Sequence, residues 1–327
     1  MDYETLSAEL VRSIRGRRSC ADASRRAGYR SNVVHRWERR QAWPSASDFL
    51  RFCQSQRIDA ARVFTEFFGQ RPPWLGEFET GSPESVAAFL RQLRSTTAIT
   101  SVAQHANINR FTLARWLKAT AQPRLPDFLR MIEVLSRRLL DFVATLVDPD
   151  TLPCIKRRWA RVRAARTLAY EYPTSHAVLR ALELDEYRSL GSAGPGWLEK
   201  RLGMSTQEIE GCLAALKRAG QIRWVRGKWQ PVDVLRVDTR ADPERARVTK
   251  LAWLEVAAER LRGNAPGNFG FSLFAISRDD LRRLRELHLE YVRAMQALIA
   301  SSKHNECVGL YCAQLLDLDS SDENAMS

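Results

Sequence analysis

Residues 20–37 read CADASRRAGYRSNVVHRW, and 79 positions further on residues 99–116 read ITSVAQHANINRFTLARW in the same register. The correspondence extends on both sides without a gap. Arg12 falls on Arg91, Arg15 on Arg94, Ala27 on Ala106, Arg36 on Arg115, Trp37 on Trp116 and Pro44 on Pro123. Asp48-Phe-Leu-Arg51 then falls on Asp127-Phe-Leu-Arg130. Chance does not hold one register over about 40 residues, so two copies of one folding unit are expected; the period is too long and the copies too few for a solenoid.

Each copy reads as a string of short helices. In the first, Leu6, Leu10, Val11 and Ile14 share one helical face that breaks at Gly16. Cys20 to Ala27 form a second helix, ended by Gly28 in a left-handed conformation. Ser31 is expected to cap a third helix, Asn32 to Arg39, with Val33, Val34 and Trp37 inward. Pro44 and Ser45 start a fourth, Ala46 to Gln54, burying Phe49, Leu50 and Cys53. Trp37, Trp116, Phe49 and Phe128 are expected in the core.

A helix, a tight turn and a second helix with these residues resemble the Cro and lambda-repressor class (XRE-type) of helix-turn-helix regulators. That class carries an alanine-like residue in the second helix, a turn glycine, an apolar residue in the third helix and a Trp-Glu pair at its end. Ser24, Gly28, Val34 and Trp37-Glu38 take those places. Cys20 stands where the class usually has a DNA-touching Gln. The second copy departs further: Asn107 replaces the turn glycine, which Asn tolerates in a left-handed conformation, and Leu117 replaces the glutamate. The resemblance spans about residues 6–145. It implies a third helix lying in the major groove, its leading residues reaching base edges and its flanks docked on phosphates. Arg30, Ser31, Asn32, His35 and Arg36 are the expected readers, since Arg and Asn can bond guanine and adenine edges bidentately. Arg15, Arg17, Arg18, Arg39 and Arg40 form the expected phosphate-facing rim. Asn109, Arg110 and Arg115 are their counterparts in the second copy.

Downstream, a basic helix (Ile155 to Tyr170) is followed by expected helices His176 to Tyr187, Trp197 to Leu202 and Thr206 to Ala219. A hairpin, Gln221 to Val225 with Lys228 to Pro231, turns at Arg226-Gly227. Helix, helix, helix, hairpin is the order of a winged helix, whose wing would offer Arg223, Arg226 and Lys228 to a nucleic-acid backbone. Glu208 and Glu210 on its third helix would be repelled by phosphates. The last part alternates helix Arg247 to Arg262, strand Phe269 to Ile276, helix Arg278 to Ser301 and strand Glu306 to Leu316. Leu281, Leu284, Leu287, Tyr291, Met295 and Leu298 are expected inward on the long helix, and Asp279-Asp280 suit its first turn. Order and pattern across residues 155–318 are similar to the C-terminal region of a bacterial family in which a Cro-like helix-turn-helix precedes a domain of unknown function.

The expected architecture is therefore mainly α, with α+β character in the C-terminal third. Its units are helix-turn-helix domains at 1–75 and 76–149, a basic helix plus winged-helix-like domain at 150–236, a small dimerisation or sensing domain at 237–318, and a flexible tail at 319–327. The net charge of +13 over 327 residues favours a polyanionic partner. Its placement is uneven. Residues 1–75 hold 14 basic against 8 acidic residues, 76–149 hold 9 against 7, 150–236 hold 16 against 9, and 237–327 hold 12 against 14. The acidic last segment has a job other than meeting phosphates.

Six cysteines with no C-x-x-C pair, and only five histidines, give no zinc spacing and read as free thiols. Cys307 and Cys312 would point to opposite faces of one strand. No nucleotide loop, nucleophile elbow, metalloprotease motif or paired carboxylates occur, so no enzyme activity, metal or cofactor is expected. No signal peptide or membrane span is apparent, which points to a cytoplasmic, nucleoid-associated protein. The expected function is sequence-specific, double-stranded DNA binding in transcriptional control, as a homodimer responding to an unidentified effector ligand or protein. The alternative is a protein-interaction adaptor whose helix-turn-helix units no longer read DNA, as in a phage-related or defence complex.

Overall fold

A computed structural model describes residues 1–95, 97–232, 239 and 242–319. The chain is mainly α, with one small antiparallel hairpin among the described residues. The first repeat forms Tyr3–Arg15 (α1), Cys20–Arg26 (α2), Val33–Glu38 (α3), Ala46–Ser55 (α4) and Ala60–Phe68 (α5). The second forms Pro83–Arg94 (α6), Ile99–Ala106 (α7), Arg110–Leu117 (α8), Leu125–Ser136 (α9) and Leu139–Leu146 (α10). Local chemistry sets the ends. Asp2, Ser19, Ser45 and Ser82 accept backbone N–H groups at helix starts, and Ser45 with Asp48 closes a capping box. The third helix begins later than expected, because Asn32 rather than Ser31 is its cap.

The two copies are related by an approximate twofold axis. Ala46 N donates to Pro123 O at 2.9 Å, and Leu125 N donates to Pro44 O at 2.9 Å. Replacing each residue by its counterpart 79 positions away in the other copy turns the first bond into the second. The packing follows the same rule: α1 packs on α9 as α6 packs on α4, while α4 packs on α9 and α5 on α10 across the axis. Such exchange is the signature of an isologous interface, which ordinarily joins two separate chains. Here one chain supplies both sides.

A continuous core runs through both repeats. Phe64 and Phe67 of α5 meet Phe89 of α6 and Phe142 of α10, with ring centroids 5.0 Å apart for Phe64–Phe89 and 5.6 Å for Phe67–Phe142. Phe128 of α9 joins at 5.7 Å from Phe89. Trp37, Trp116, Phe49 and Phe128 are all buried. Each buried aromatic removes about 150–250 Å² from water. The core extends into Pro153–Glu171 (α11) through Ile155, Trp159 and Val162.

A second core gathers Ser175–Ala181 (α12), Asp185–Ser189 (α13), Pro195–Leu202 (α14), Thr206–Arg218 (α15) and the strands Ile222–Val225 (β1) and Lys228–Pro231 (β2). The helix expected over His176 to Tyr187 is two helices, broken at Leu182–Leu184 so that Leu182, Leu184 and Tyr187 all reach this core. The strands pair Ile222 with Pro231 and Trp224 with Trp229. Arg226 and Gly227 at the turn have φ of 50° and 79°, as a tight two-residue hairpin demands.

The C-terminal part differs most from its sequence reading. Pro243–Arg262 (α16) and Arg278–Ser301 (α17) form as helices, but neither expected strand does: residues 269–276 and 306–316 have no regular secondary structure. A strand is made by ladder hydrogen bonds to a neighbour, and neither segment forms any. Residues 269–276 are exposed throughout, with Phe271 95% and Leu273 78% accessible. On α17, Leu281 is buried, Leu284 and Met295 are half-buried, and Leu287, Tyr291 and Leu298 are exposed instead of inward. The boundary expected near residue 237 and the tail from residue 320 lie outside the described residues.

Candidate nucleic-acid interface

The α2–α3 unit is held by a small polar network. Gly28 turns the chain at φ 85°. Ser24 Oγ donates to Cys20 O at 2.7 Å and accepts from Val34 N at 3.1 Å, tying the second helix to the third. Asn32 Oδ1 accepts from His35 N at 3.4 Å. With Val34 and Trp37 buried beneath, α3 has one locked face and one outward face.

Most of the residues singled out from sequence on α3 and around it face solvent. Arg17, Arg30, Ser31, Asn32, His35, Arg36, Arg39 and Arg40 are exposed. Asn32 is exposed yet commits its carbonyl oxygen to the cap, which removes the acceptor that a bidentate adenine contact would use. Arg17, Arg30, Arg36, Arg39 and Arg40 form no ion pair with any described residue, whereas Arg25 and Arg26 pair with Asp22, Arg51 with Asp48 and Arg62 with Glu66.

Arg15 belongs to the interior instead. Its Nε lies 2.5 Å and its Nη2 3.2 Å from the Glu38 carboxylate, and its Nη1 donates to Gly16 O and Arg18 O. The hydrogen bond to Glu38 raises the Arg15 pKa further. Arg12 adds a contact to the same carboxylate at 3.5 Å. Arg18 is half-buried and donates to Gln56 at 3.3 Å.

The second copy repeats the plan with different side chains. Asn107 takes the turn at φ 52°. Asn109 caps α8, accepting from Phe111 N at 2.8 Å. With Leu117 in the place of Glu38, Arg91 donates to Leu117 O at 3.2 Å, so an arginine still ties the first helix to the end of the third. Arg110 and Arg115 are exposed, as is Lys118, which sequence reasoning passed over. Phe111, also passed over, is 64% exposed with the Arg110 guanidinium 4.7 Å from its ring centre. The 79-residue register held the signal for both, because it sets Phe111 against Asn32 and Lys118 against Arg39.

On the hairpin, Arg223 and Arg226 are exposed. Lys228 is not available in the same way: its Nζ donates to Arg188 O and Leu190 O, both at 2.6 Å, and so fastens the hairpin to α13. Glu208 and Glu210 face solvent on α15, where Glu208 also completes a capping box with Ser205.

Residues 156–315 match the model of a family described as a domain of unknown function, DUF4423. No curated protein matches the chain, and no solved structure does. Among the described residues no helix is long and apolar enough to cross a membrane.

Proposed function

We propose that this chain is a sequence-specific DNA-binding transcriptional regulator that lays α3 in the major groove and grips the flanking phosphates with arginines. One observation carries the reading. A short third helix, tied to the second through Ser24 and Val34, presents Arg36 and His35 to solvent, and Arg17, Arg30, Arg39 and Arg40 in the sequence around it are also exposed, none of these five arginines in a salt bridge with a described residue. Exposed guanidinium groups outside salt bridges raise a positive potential that a polyanion relieves. The winged segment fits protein contact better than DNA contact, because Glu208 and Glu210 lie on the exposed side of α15. In this reading the C-terminal segment, apolar and net acidic, joins two chains.

The test is anisotropy of the full chain with labelled duplexes at several salt concentrations. Log affinity falls linearly with log salt, and Arg36→Ala loses about 1–3 kcal/mol on the preferred sequence while binding to random duplex barely changes. Equal losses on every sequence would reassign Arg36 to phosphate contact. Salt-independent or absent binding would reject DNA reading.

A further inference from the structure

The 79-residue register matches the outward face of α3 to that of α8 position by position. Ser31, Asn32, His35, Arg36 and Arg39 fall on Arg110, Phe111, Ala114, Arg115 and Lys118. Two positions are alike: Arg36 with Arg115, and the cations Arg39 with Lys118. Three are unlike. Where the first helix offers Asn32 and His35, the second offers Phe111 and Ala114, three residues apart and therefore neighbours on one helical face. Phe111 is 64% exposed, and α8 begins early enough to make Arg110 and Phe111 helical, whereas the matching positions in the first copy precede α3. Both copies pack into one hydrophobic core and are bridged main chain to main chain between Pro44–Ala46 and Pro123–Leu125, so α3 and α8 belong to one folded unit.

Resting on the DNA-reading function proposed above, we infer that a single chain reads an asymmetric duplex of two unlike half-sites. They share a guanine read by Arg36 and Arg115. The half under α8 adds thymine, whose 5-methyl groups pack against Phe111 and Ala114. Guanine suits arginine through its O6 and N7 acceptors, and a thymine methyl is the one apolar feature a base pair shows in the major groove. An exposed phenyl ring gains from covering such a methyl and has nothing to gain from a phosphate.

The experiment selects duplexes from a random pool with the full chain, then replaces thymine by deoxyuracil in one half-site at a time. Selection should enrich an asymmetric sequence. Each methyl lost from the α8 half should weaken binding about threefold to fivefold, and replacements in the other half should have little effect. Phe111→Ala, a surface change that leaves the fold intact, should weaken binding and abolish the deoxyuracil penalty. Phe111→Asn combined with Ala114→His should likewise lose the preference for thymine in the α8 half. A wild-type chain that prefers a perfect palindrome, or a penalty that persists in Phe111→Ala, overturns the inference while leaving DNA reading intact. Failure to enrich any duplex removes both.

Discussion

Arginine has two separate occupations in the first repeat, and residue type alone does not tell them apart. Arg15 and Arg36 both stand in the basic sequence around the turn, yet Arg15 is folded onto Glu38, whose side chain is only 9% exposed, while Arg36 faces water without an ion pair. Removing Arg15 leaves the shielded Glu38 carboxylate with only the longer contact to Arg12 at 3.5 Å. Arg15→Ala should therefore lower unfolding stability by about 2 kcal/mol, whereas Arg36→Ala should stay within about 0.5 kcal/mol of wild type. Urea unfolding of the two variants checks this, and equal stabilities would show that the Arg15–Glu38 pair is not holding α1 to α3. The sequence reading grouped Arg15 with the phosphate-facing rim because it belongs to the basic cluster around the third helix. Only the path of α3 brings Glu38 under it.

At the level of the helix-turn-helix element, the turn was readable because backbone conformation leaves a direct mark on residue choice. Gly28 at φ 85° and Asn107 at φ 52° are the two residue types that accept left-handed geometry cheaply. A Cβ built on Gly28 would meet no heavy atom within 4 Å, so Gly28→Ala suffers from backbone strain alone. It should cost about 1–2 kcal/mol, while Asn107→Gly should be neutral or slightly stabilising. Thermal melts of both variants test the assignment, and an unperturbed Gly28→Ala protein would contradict it. Elements whose formation depends on distant partners were harder to read. Alternating apolar residues at Phe269, Phe271 and Leu273 suggested a strand, but alternation describes a side-chain pattern and supplies no edge to pair with. Likewise Asn32 displaced Ser31 as the cap because the choice between adjacent polar residues depends on where Ser24 and Val34 sit. The outward face of α8 was legible only in part, because Phe111 looks like a core residue until α8 is placed.

Across the whole molecule, the two N-terminal copies close a shared core and the C-terminal part leaves an open one. Phe271 and Leu273 before α17, and Leu287, Tyr291 and Leu298 on it, are all exposed. Large apolar side chains left in water in this number favour association, and obligate dimers bury about 2,000 Å² or more in total. Light scattering of the full chain at micromolar concentration should give a dimer, and Phe271→Asp with Leu273→Asp should give a folded monomer with an unchanged helical circular dichroism spectrum. A wild-type monomer would show that this surface serves another partner. The duplication was plain in the sequence, but the twofold was not, because a repeat says nothing of how its copies face each other. Its main-chain bridge, Pro44 to Ala46 against Pro123 to Leu125, bears on the dose response. Separate repressor subunits come apart when scarce, so occupancy of their sites rises with the square of protein level. Pairing inside one chain cannot be diluted away. Under the proposed function, the paired unit would stay assembled at a few molecules per cell, and a steep response to abundance would have to come from association elsewhere in the chain.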